Sequence, residues 1–275
     1  MLVTLKTLLD EAKEKFYAVG AFEFWSLDSV RAILEAAEEL DMPVILQASA
    51  VELNYMGWKN VERAVGYTAD KSAARVALHL DHSMEIKWVK LAIESGFTGV
   101  MIDASHHEYK ENADITREVV SLAKPYGVSV ESELGRMAGL EGAVSVEEAE
   151  AFQTDPDDAA RFAAETGIDA LAVAVGTVHG FYKTTPKINV ARIKAISEKA
   201  DIPLVLHGGS GTPDDKVRDA IQAGICKVNV CTEFMDAFKK AYQKSDKPSV
   251  AGLFKPGYLA GKEVIINKIK LFGNK

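Results

Sequence analysis

The chain has 275 residues, of which 48% are hydrophobic and 26% charged, and its formal net charge is −8. This acidic balance, with no run of basic residues, argues against a nucleic-acid partner. No apolar run is long enough to cross a bilayer, and residues 1–16 form an amphipathic pattern rather than a secretory leader. Cys226 and Cys231 lie too close together for a disulfide framework, so we expect a cytoplasmic protein without a membrane partner.

After this first segment, short apolar runs alternate with helical patterns along the chain. Most of the runs are rich in Val, Ile or Leu, which is typical of strands buried on both faces. The eight predicted strands are residues 17–22, 43–49, 76–82, 99–105, 128–134, 170–176, 203–208 and 227–231.

The helical patterns between the strands carry start and stop signals. Ser26 is a good N-cap for a helix over residues 26–40, and Ser83 precedes a pattern that stops near Gly96. A further helix follows Thr212, with Pro213 suited to its first turn. The tail, residues 255–275, is predicted to be a terminal helix that packs on the barrel or on a neighbouring subunit.

Eight strands that alternate with helices in a chain of this length predict a (β/α)₈ TIM barrel. We expect a single domain over residues 1–275 with the C-terminal helical tail. An open, doubly wound sheet is the alternative, because hydrophobic periodicity does not show closure. Residues 135–155 form a long, glycine-containing connection after the fifth strand, and such loops are usually functional or mobile.

Polar side chains stand where six consecutive predicted strands end. Active sites of such barrels lie at the C-terminal ends of the strands, so these residues should meet at one rim. A lone histidine there is more often an ordinary hydrogen-bonded residue, but three from different strands beside carboxylates suit Zn²⁺ or Co²⁺ with an open coordination position. The residues are Asp81, His82, Asp103, Glu133, His179, His207, Asn229 and Thr232.

The other histidines are not expected to bind the metal. His79 is three positions before His82 on the same strand, so alternation predicts that it faces the other way and is structural. His106 and His107 follow the fourth strand in a loop and are expected to be solvated or to contact the ligands.

The segment "LVLHGGSG" ends the seventh strand in a loop almost without side chains. One glycine would satisfy an ordinary turn, whereas Gly208, Gly209 and Gly211 let backbone N–H groups approach a phosphate ahead of the next helix. Phosphate is often held after strands seven and eight of such barrels, where Ser210, Asn229 and Thr232 would add donors. The loop therefore predicts a phosphorylated ligand.

Six segments together resemble the class II, metal-dependent ketose-bisphosphate aldolases, the family that includes fructose- and tagatose-bisphosphate aldolases. The resemblance covers nearly the whole chain and is specific in order and spacing. The segments are "HLDH" (79–82), "MIDASH" (101–106), "VESELGR" (130–136), "AVAVGTVHG" (172–180), "VLHGGSG" (205–211) and "KVNVCTE" (227–233).

This resemblance implies a zinc aldolase that releases or condenses dihydroxyacetone phosphate, with a monovalent cation as a possible further ion. It implies that Asp81 moves the hydroxyl proton in cleavage and that Glu141 moves the proton at the nucleophilic carbon. Relatives are dimers or tetramers, so a homodimer or homotetramer is expected. The implied zinc ligands are His82, His179 and His207, with Asp103 and Glu133 holding the metal in a resting position. The implied substrate contacts are Gly180, Lys183, Gly208, Gly209, Ser210, Asn229 and Thr232.

The half of the site that would hold the aldehyde departs from the family. Glu23 in "AFEFWS" stands where the family usually has an amide, and "KPG" (255–257) stands where it has an arginine. Ser49, a family contact to the distal phosphate, is retained. We hypothesise a ketose 1-phosphate or 1,6-bisphosphate substrate whose aldehyde partner is non-standard and meets Glu23.

Two other classes of protein are alternatives to an aldolase. A metal-dependent hydrolase on the same barrel would usually carry His-x-His on its first strand, which here reads "GAFEF". A non-catalytic phosphosugar-binding protein would not need Asp81.

Overall fold

The computed structural model describes residues 1–135, 153–177, 180 and 186–273. Its eight strands are all parallel and pair in chain order, with the first also pairing with the last, so the sheet closes into a barrel. This confirms the predicted (β/α)₈ barrel over the doubly wound sheet. The strands are β1 Val19–Glu23, β2 Val44–Ser49, β3 Val76–Ser83, β4 Gly99–Ile102, β5 Ser129–Leu134, β6 Ala170–Val173, β7 Leu204–Leu206 and β8 Ile225–Val230.

Helices surround this barrel, and in the described part of the chain none of them is long and apolar enough to cross a membrane. The α-helices are α1 Leu5–Lys15, α2 Leu27–Leu40, α3 Ala50–Met56, α4 Trp58–Asn60, α5 Tyr67–Lys71, α6 Ile86–Glu94, α7 Tyr109–Ala123, α8 Pro156–Thr166, α9 Val190–Ala200, α10 Asp214–Gln222, α11 Thr232–Gln243 and α12 Val250–Phe272. A π-helical stretch, Val61–Gly66, joins α4 to α5, and a 3₁₀ turn, Lys124–Tyr126, follows α7.

One of three predicted helix starts agrees with the structure, and two differ from it by a few residues. Ser26 caps α2 as predicted, its side chain accepting a hydrogen bond from the Ser29 N–H. The helix expected after Ser83 begins only at Ile86, because Ser83 still pairs in the sheet. Pro213 lies one position before the first residue of α10 rather than in its first turn.

The terminal helix α12 is longer than predicted and runs through Pro256. A proline inside a helix cannot donate to the carbonyl four residues earlier, here that of Gly252. The Ser245 hydroxyl donates to this carbonyl instead, at 3.1 Å. The freed acceptor is therefore satisfied from the preceding loop.

Helix α1 closes the N-terminal end of the barrel. Its buried face, Leu5, Leu8, Leu9 and Ala12, packs on small and apolar side chains that point inward from the strands, among them Ala21, Ile45, Ala77 and Met101. We call this cluster the lower core. Because α1 seals that end in the described part of the chain, the cavity of the barrel opens at the rim formed by the C-terminal ends of the strands.

Leu9→Ala should lower the free energy of unfolding by about 2–5 kcal/mol, because it opens a cavity in a site that is 0% exposed. Leu27→Ala is the matched control, since Leu27 is 55% exposed and its truncation should cost much less. Urea unfolding of both variants measures the difference. Equal losses would show that α1 does not seal the barrel.

Candidate metal centre and substrate cavity

The end of β3 carries the first two residues of the site. Strict alternation along this strand turns Ala77 into the lower core, and the neighbouring Leu78 and Leu80 into the outer core between sheet and helices. The register shifts between Leu80 and Ser83, and His82 has a left-handed backbone with φ of +43°. Non-glycine residues rarely adopt this conformation, and such strain is concentrated at functional sites.

This irregularity corrects the prediction for His79. Alternation was expected to turn His79 away from His82, but His79 is 0% exposed and lies 3.4 Å from the Glu131 carboxylate inside the barrel. His82 reaches the same interior because its positive φ turns it to the rim. The rule fails here because the strand is not regular over its last residues.

Two groups of side chains come close enough together to hold a metal ion. Their nitrogen and oxygen atoms lie within 4.8 Å of one another, and His82 belongs to both groups. The ring centroids of His82 and His207 are 4.6 Å apart. The groups are Asp81, His82 and His207, and His82, Asp103 and Glu133.

The predicted third histidine, His179, lies outside the described residues, as do Glu141 and Lys183. His106 is exposed, and His107 forms an ion pair with Glu111 at 3.1 Å. Neither belongs to the two groups found among the described residues.

The pKa values of the two carboxyl groups in the second group, Asp103 and Glu133, are shifted in opposite directions. Burial raises the pKa of Asp103, but hydrogen bonds with His82 and Ser105 outweigh it and lower that pKa overall. Burial raises the pKa of Glu133 well above its ordinary value, and the Asp103 charge adds to this.

Glu133 Oε2 is also buried without a hydrogen bond from the described residues, 3.8 Å from His207 Nδ1. A buried carboxylate oxygen without a hydrogen bond is costly, and a bound cation would relieve that cost. Imidazole and carboxylate donors together suit Zn²⁺, so the residues present fit the expected ion.

A charged network lies between the metal-binding groups and the lower core. The Glu131 carboxylate contacts His207 Nε2 at 3.0 Å and Lys227 Nζ at 2.6 Å, and all three side chains are 0% exposed. Burial lowers the pKa of the neighbouring His79 well below its ordinary value, and the Lys227 charge adds to this. Since Glu131 accepts at His207 Nε2, the other ring nitrogen is directed toward Glu133.

Glu131 and Lys227 carried no predicted role, although both lie in segments that carry the family resemblance. Each stands two positions before a predicted site residue on the same strand, Glu133 and Asn229. Alternation would have placed both inside the barrel, one layer below the rim.

Asp81 is held by two amides. Gln47 Nε2 donates to one carboxylate oxygen at 2.8 Å, and Asn229 Nδ2 donates to the other at 3.3 Å. Gln47 was missed by sequence analysis, although it stands in the predicted strand next to the one that carries Asp81. The two amides orient the carboxylate toward the cavity.

The glycine loop after β7 has a fixed conformation. Gly208 and Gly211 both have φ of +72°, and a Cβ at Gly209 would lie 2.6 Å from the Asn229 carbonyl oxygen. The Ser210 hydroxyl accepts hydrogen bonds from the N–H groups of Cys231 and Glu233, each at 3.2 Å. The loop is therefore held against the end of β8.

The rim residues enclose a cavity of about 190 Å³. It is lined by Glu23, Gln47, Ser49, Glu52, Asp81, His82, Gly180, Gly208, Ser210, Asn229, Cys231, Thr232 and Met235. Most of the residues predicted to contact either half of the substrate therefore line one cavity; Gly209 does not, and Lys183 lies outside the described residues. A larger surface depression of about 610 Å³, bordered by Asp214, Arg218 and Lys268, contains neither metal-binding group.

Comparisons with known proteins agree with this geometry. The chain matches the family described as "Fructose-bisphosphate aldolase class-II" over residues 3–275. It is 43% identical to a fructose-bisphosphate aldolase of Geobacillus stearothermophilus, covering 99% of this chain and 97% of that one. It is 38% identical to the D-tagatose-1,6-bisphosphate aldolase subunit GatY of Klebsiella oxytoca, covering 99% and 98%. The crystal structure of the YdjI aldolase from Escherichia coli K12 superposes with a TM-score of 0.90 at 33% identity, covering 99% and 98%.

Lys227→Met should lower the free energy of unfolding by about 3–5 kcal/mol, because it leaves the Glu131 charge buried and unpaired. The double variant Lys227→Met/Glu131→Gln removes that charge and should be more stable than Lys227→Met alone. Denaturant unfolding compares the two.

The exposed pair of Lys240 and Asp236, 2.7 Å apart, provides the control. Lys240→Met should cost less than about 1 kcal/mol, since water already solvates both charges. A double variant less stable than Lys227→Met would contradict the account of the buried pair.

Proposed function

Because the chain belongs to the class II fructose-bisphosphate aldolase family, and is therefore an aldolase, we propose that it cleaves and forms a ketose phosphate at this rim. The substrate is a ketose 1-phosphate or 1,6-bisphosphate, and one product is dihydroxyacetone phosphate. The observation that carries the proposal is the position of Asp81 beside His82 and His207, with Asp81 and His82 lining the cavity.

The proposed cofactor is Zn²⁺, with Co²⁺ as a substitute. His82 and His207 would hold it, with His179 as the proposed third ligand and with Asp103 and Glu133 offering a second set of donors beside His82. When bound, the ion would polarise the ketose carbonyl as a Lewis acid. The buried, unsatisfied oxygen of Glu133 supports this cofactor.

Asp81 is the proposed acid–base residue. In cleavage its carboxylate accepts the proton of the hydroxyl whose carbon becomes the aldehyde, while the carbon–carbon bond breaks and its electron pair stays on the triose fragment. In condensation Asp81 returns the proton to the new hydroxyl. Donation from Gln47 and Asn229 keeps both carboxylate oxygens oriented for this transfer.

The triose phosphate is proposed to bind at the ends of β7 and β8, across the barrel rim from Asp81 on β3. The N–H groups of Gly209 and Gly211 already donate to the Asn229 carbonyl and to the Glu233 carboxylate. The backbone N–H groups of Gly208 and Ser210 and the side chains of Ser210, Asn229 and Thr232 would hold the phosphate and hydroxyl of the triose, with Gly180 and Lys183 completing the contacts. The positive φ of Gly208 and the close packing of Gly209 support a backbone site. Glu141 is proposed to move the proton at the triose carbon.

Homodimer or homotetramer assembly and a cytoplasmic location also remain predictions. Light scattering coupled to gel filtration would measure the first.

Asp81→Asn should lower kcat for ketose phosphate cleavage by at least about 100-fold, because the amide cannot accept the proton. Zinc should stay bound, because His82 and His207 remain, and the zinc content is measured alongside kcat. Asp70→Asn, on the exposed surface of α5, is the matched control and should cleave at the wild-type rate.

Retained cleavage in Asp81→Asn would remove Asp81 from the proposed role. A wild-type protein that binds phosphosugars with zinc loaded but cleaves none of them would instead indicate the non-catalytic alternative.

His82→Asn should weaken zinc binding by at least about 100-fold, because one ligand is lost. Asparagine is chosen because it tolerates the left-handed backbone of this position. Competition with a chromogenic chelator on metal-free protein measures the affinity. His107→Asn, outside both metal-binding groups, should bind zinc like the wild type, and equal affinities for all three proteins would place the metal elsewhere.

A further inference from the structure

The part of the cavity that the triose phosphate leaves open lies at the ends of β1 and β2. The proposed phosphate loop is at β7 and β8, and the barrel order places β1 and β2 between β8 and β3, which carries Asp81. Beyond Asp81, the substrate's aldehyde half therefore meets side chains from β1, β2 and α3. We call Glu23, Gln47, Ser49 and Glu52 the acceptor wall; all four line the cavity.

Ser49 is the residue of this wall that could donate hydrogen bonds to an anion, but its donors are already engaged. Its backbone N–H donates to Glu23 Oε1 at 2.9 Å. Its hydroxyl donates to Glu52 Oε2 at 2.5 Å and accepts from the Val51 N–H at 3.2 Å. Two carboxylates of the chain itself thus occupy the donors that a distal phosphate would need.

The side-chain amides of Gln47 and Asn229 also have their donors engaged by a carboxylate, so they present only acceptors to the cavity. Both donate their NH₂ groups to the Asp81 carboxylate, which fixes their orientation. Gln47 Oε1 and Asn229 Oδ1 are consequently left buried without a hydrogen-bond donor among the described residues, in side chains only 1% and 7% exposed. Buried acceptors of this kind require donors from a ligand or from water.

Charge reinforces this pattern. Among the described residues that line the cavity there is no lysine or arginine, whereas Glu23, Glu52 and Asp81 all bear carboxyl groups. Three carboxyl groups already face this part of the cavity, so one more negative group here is unfavourable. A phosphate dianion offers acceptors and negative charge to a wall that already has both.

We infer that the acceptor wall selects an uncharged hydroxyaldehyde, so that the preferred substrate is a ketose 1-phosphate without a distal phosphate. Hydroxyl groups of such an aldehyde donate to Gln47 Oε1 and to the carboxylates of Glu23 and Glu52. This inference rests on the proposed aldolase activity and adds to it the class of the aldehyde, with Glu23 as the residue that determines specificity.

The test measures condensation of dihydroxyacetone phosphate with three aldehydes on the zinc-loaded protein: glyceraldehyde, glyceraldehyde 3-phosphate and propanal. The expected kcat/KM for glyceraldehyde exceeds that for glyceraldehyde 3-phosphate by at least about tenfold, since like charges in contact are strongly unfavourable. It should also exceed the value for propanal, which has no hydroxyl to donate.

Glu23→Gln removes the charge but keeps an acceptor for the Ser49 N–H. The ratio of kcat/KM for glyceraldehyde to kcat/KM for glyceraldehyde 3-phosphate should fall by at least about tenfold, because KM for the phosphorylated aldehyde decreases. Glu94→Gln, the same change on the exposed surface of α6, should leave the ratio at the wild-type value. Circular dichroism spectra that match the wild type show that both variants are folded.

Three results would overturn the inference while leaving the aldolase proposal in place. These are a wild-type preference for glyceraldehyde 3-phosphate, equal rates with propanal and glyceraldehyde, or an unchanged ratio in Glu23→Gln. If no aldehyde condenses with dihydroxyacetone phosphate, the proposed donor substrate itself is wrong.

Discussion

The buried ion pair between Glu131 and Lys227 is the interaction on which the rest of the site depends. It lies inside the barrel, above the apolar cluster sealed by α1 and below the rim, with both side chains 0% exposed. Taking two charges out of water is costly, and their attraction compensates only when further hydrogen bonds satisfy them. Here the second carboxylate oxygen of Glu131 is used by His207, so one pair both fills the barrel interior and fixes the orientation of a rim histidine.

The barrel could be predicted from sequence because its signals are local and repeated. Each strand is a short apolar run, and caps such as Ser26 mark the helix starts, so element type and order follow from periodicity. The observed ends of helices and strands differ from the predicted ones where contacts with other parts of the chain determine them. Ser83 stays in the sheet because it pairs with Ile102, and α12 continues through Pro256 because Ser245 satisfies the exposed carbonyl.

The rim was predictable for a related reason: strands of a parallel barrel end on one side, so residues at strand ends must meet. The strand position of Asp81, His82, Asp103, Glu133 and His207 alone was therefore sufficient to group them. The side chains that support this rim were harder to find. Alternation indicates that Glu131 points into the barrel, but the contacts of Gln47 and Glu131 follow only from the positions of the neighbouring strands. The predicted direction of His79, away from His82, was wrong because the positive φ of His82 has no signature in the sequence.

The distribution of charge joins the proposed metal and the proposed substrate. Glu23, Asp81, Asp103 and Glu133 are all buried at the rim, while Lys227, the buried cation beneath them, is committed to Glu131. Burial, with neighbouring carboxylates adding to it, raises the pKa of both Glu23 and Glu133. The proposed divalent cation would compensate for that negative charge beside His82, which belongs to both metal-binding groups. Glu23 and Glu52 already use the donors of Ser49, so the remaining wall is complementary to hydroxyl groups rather than to a second phosphate.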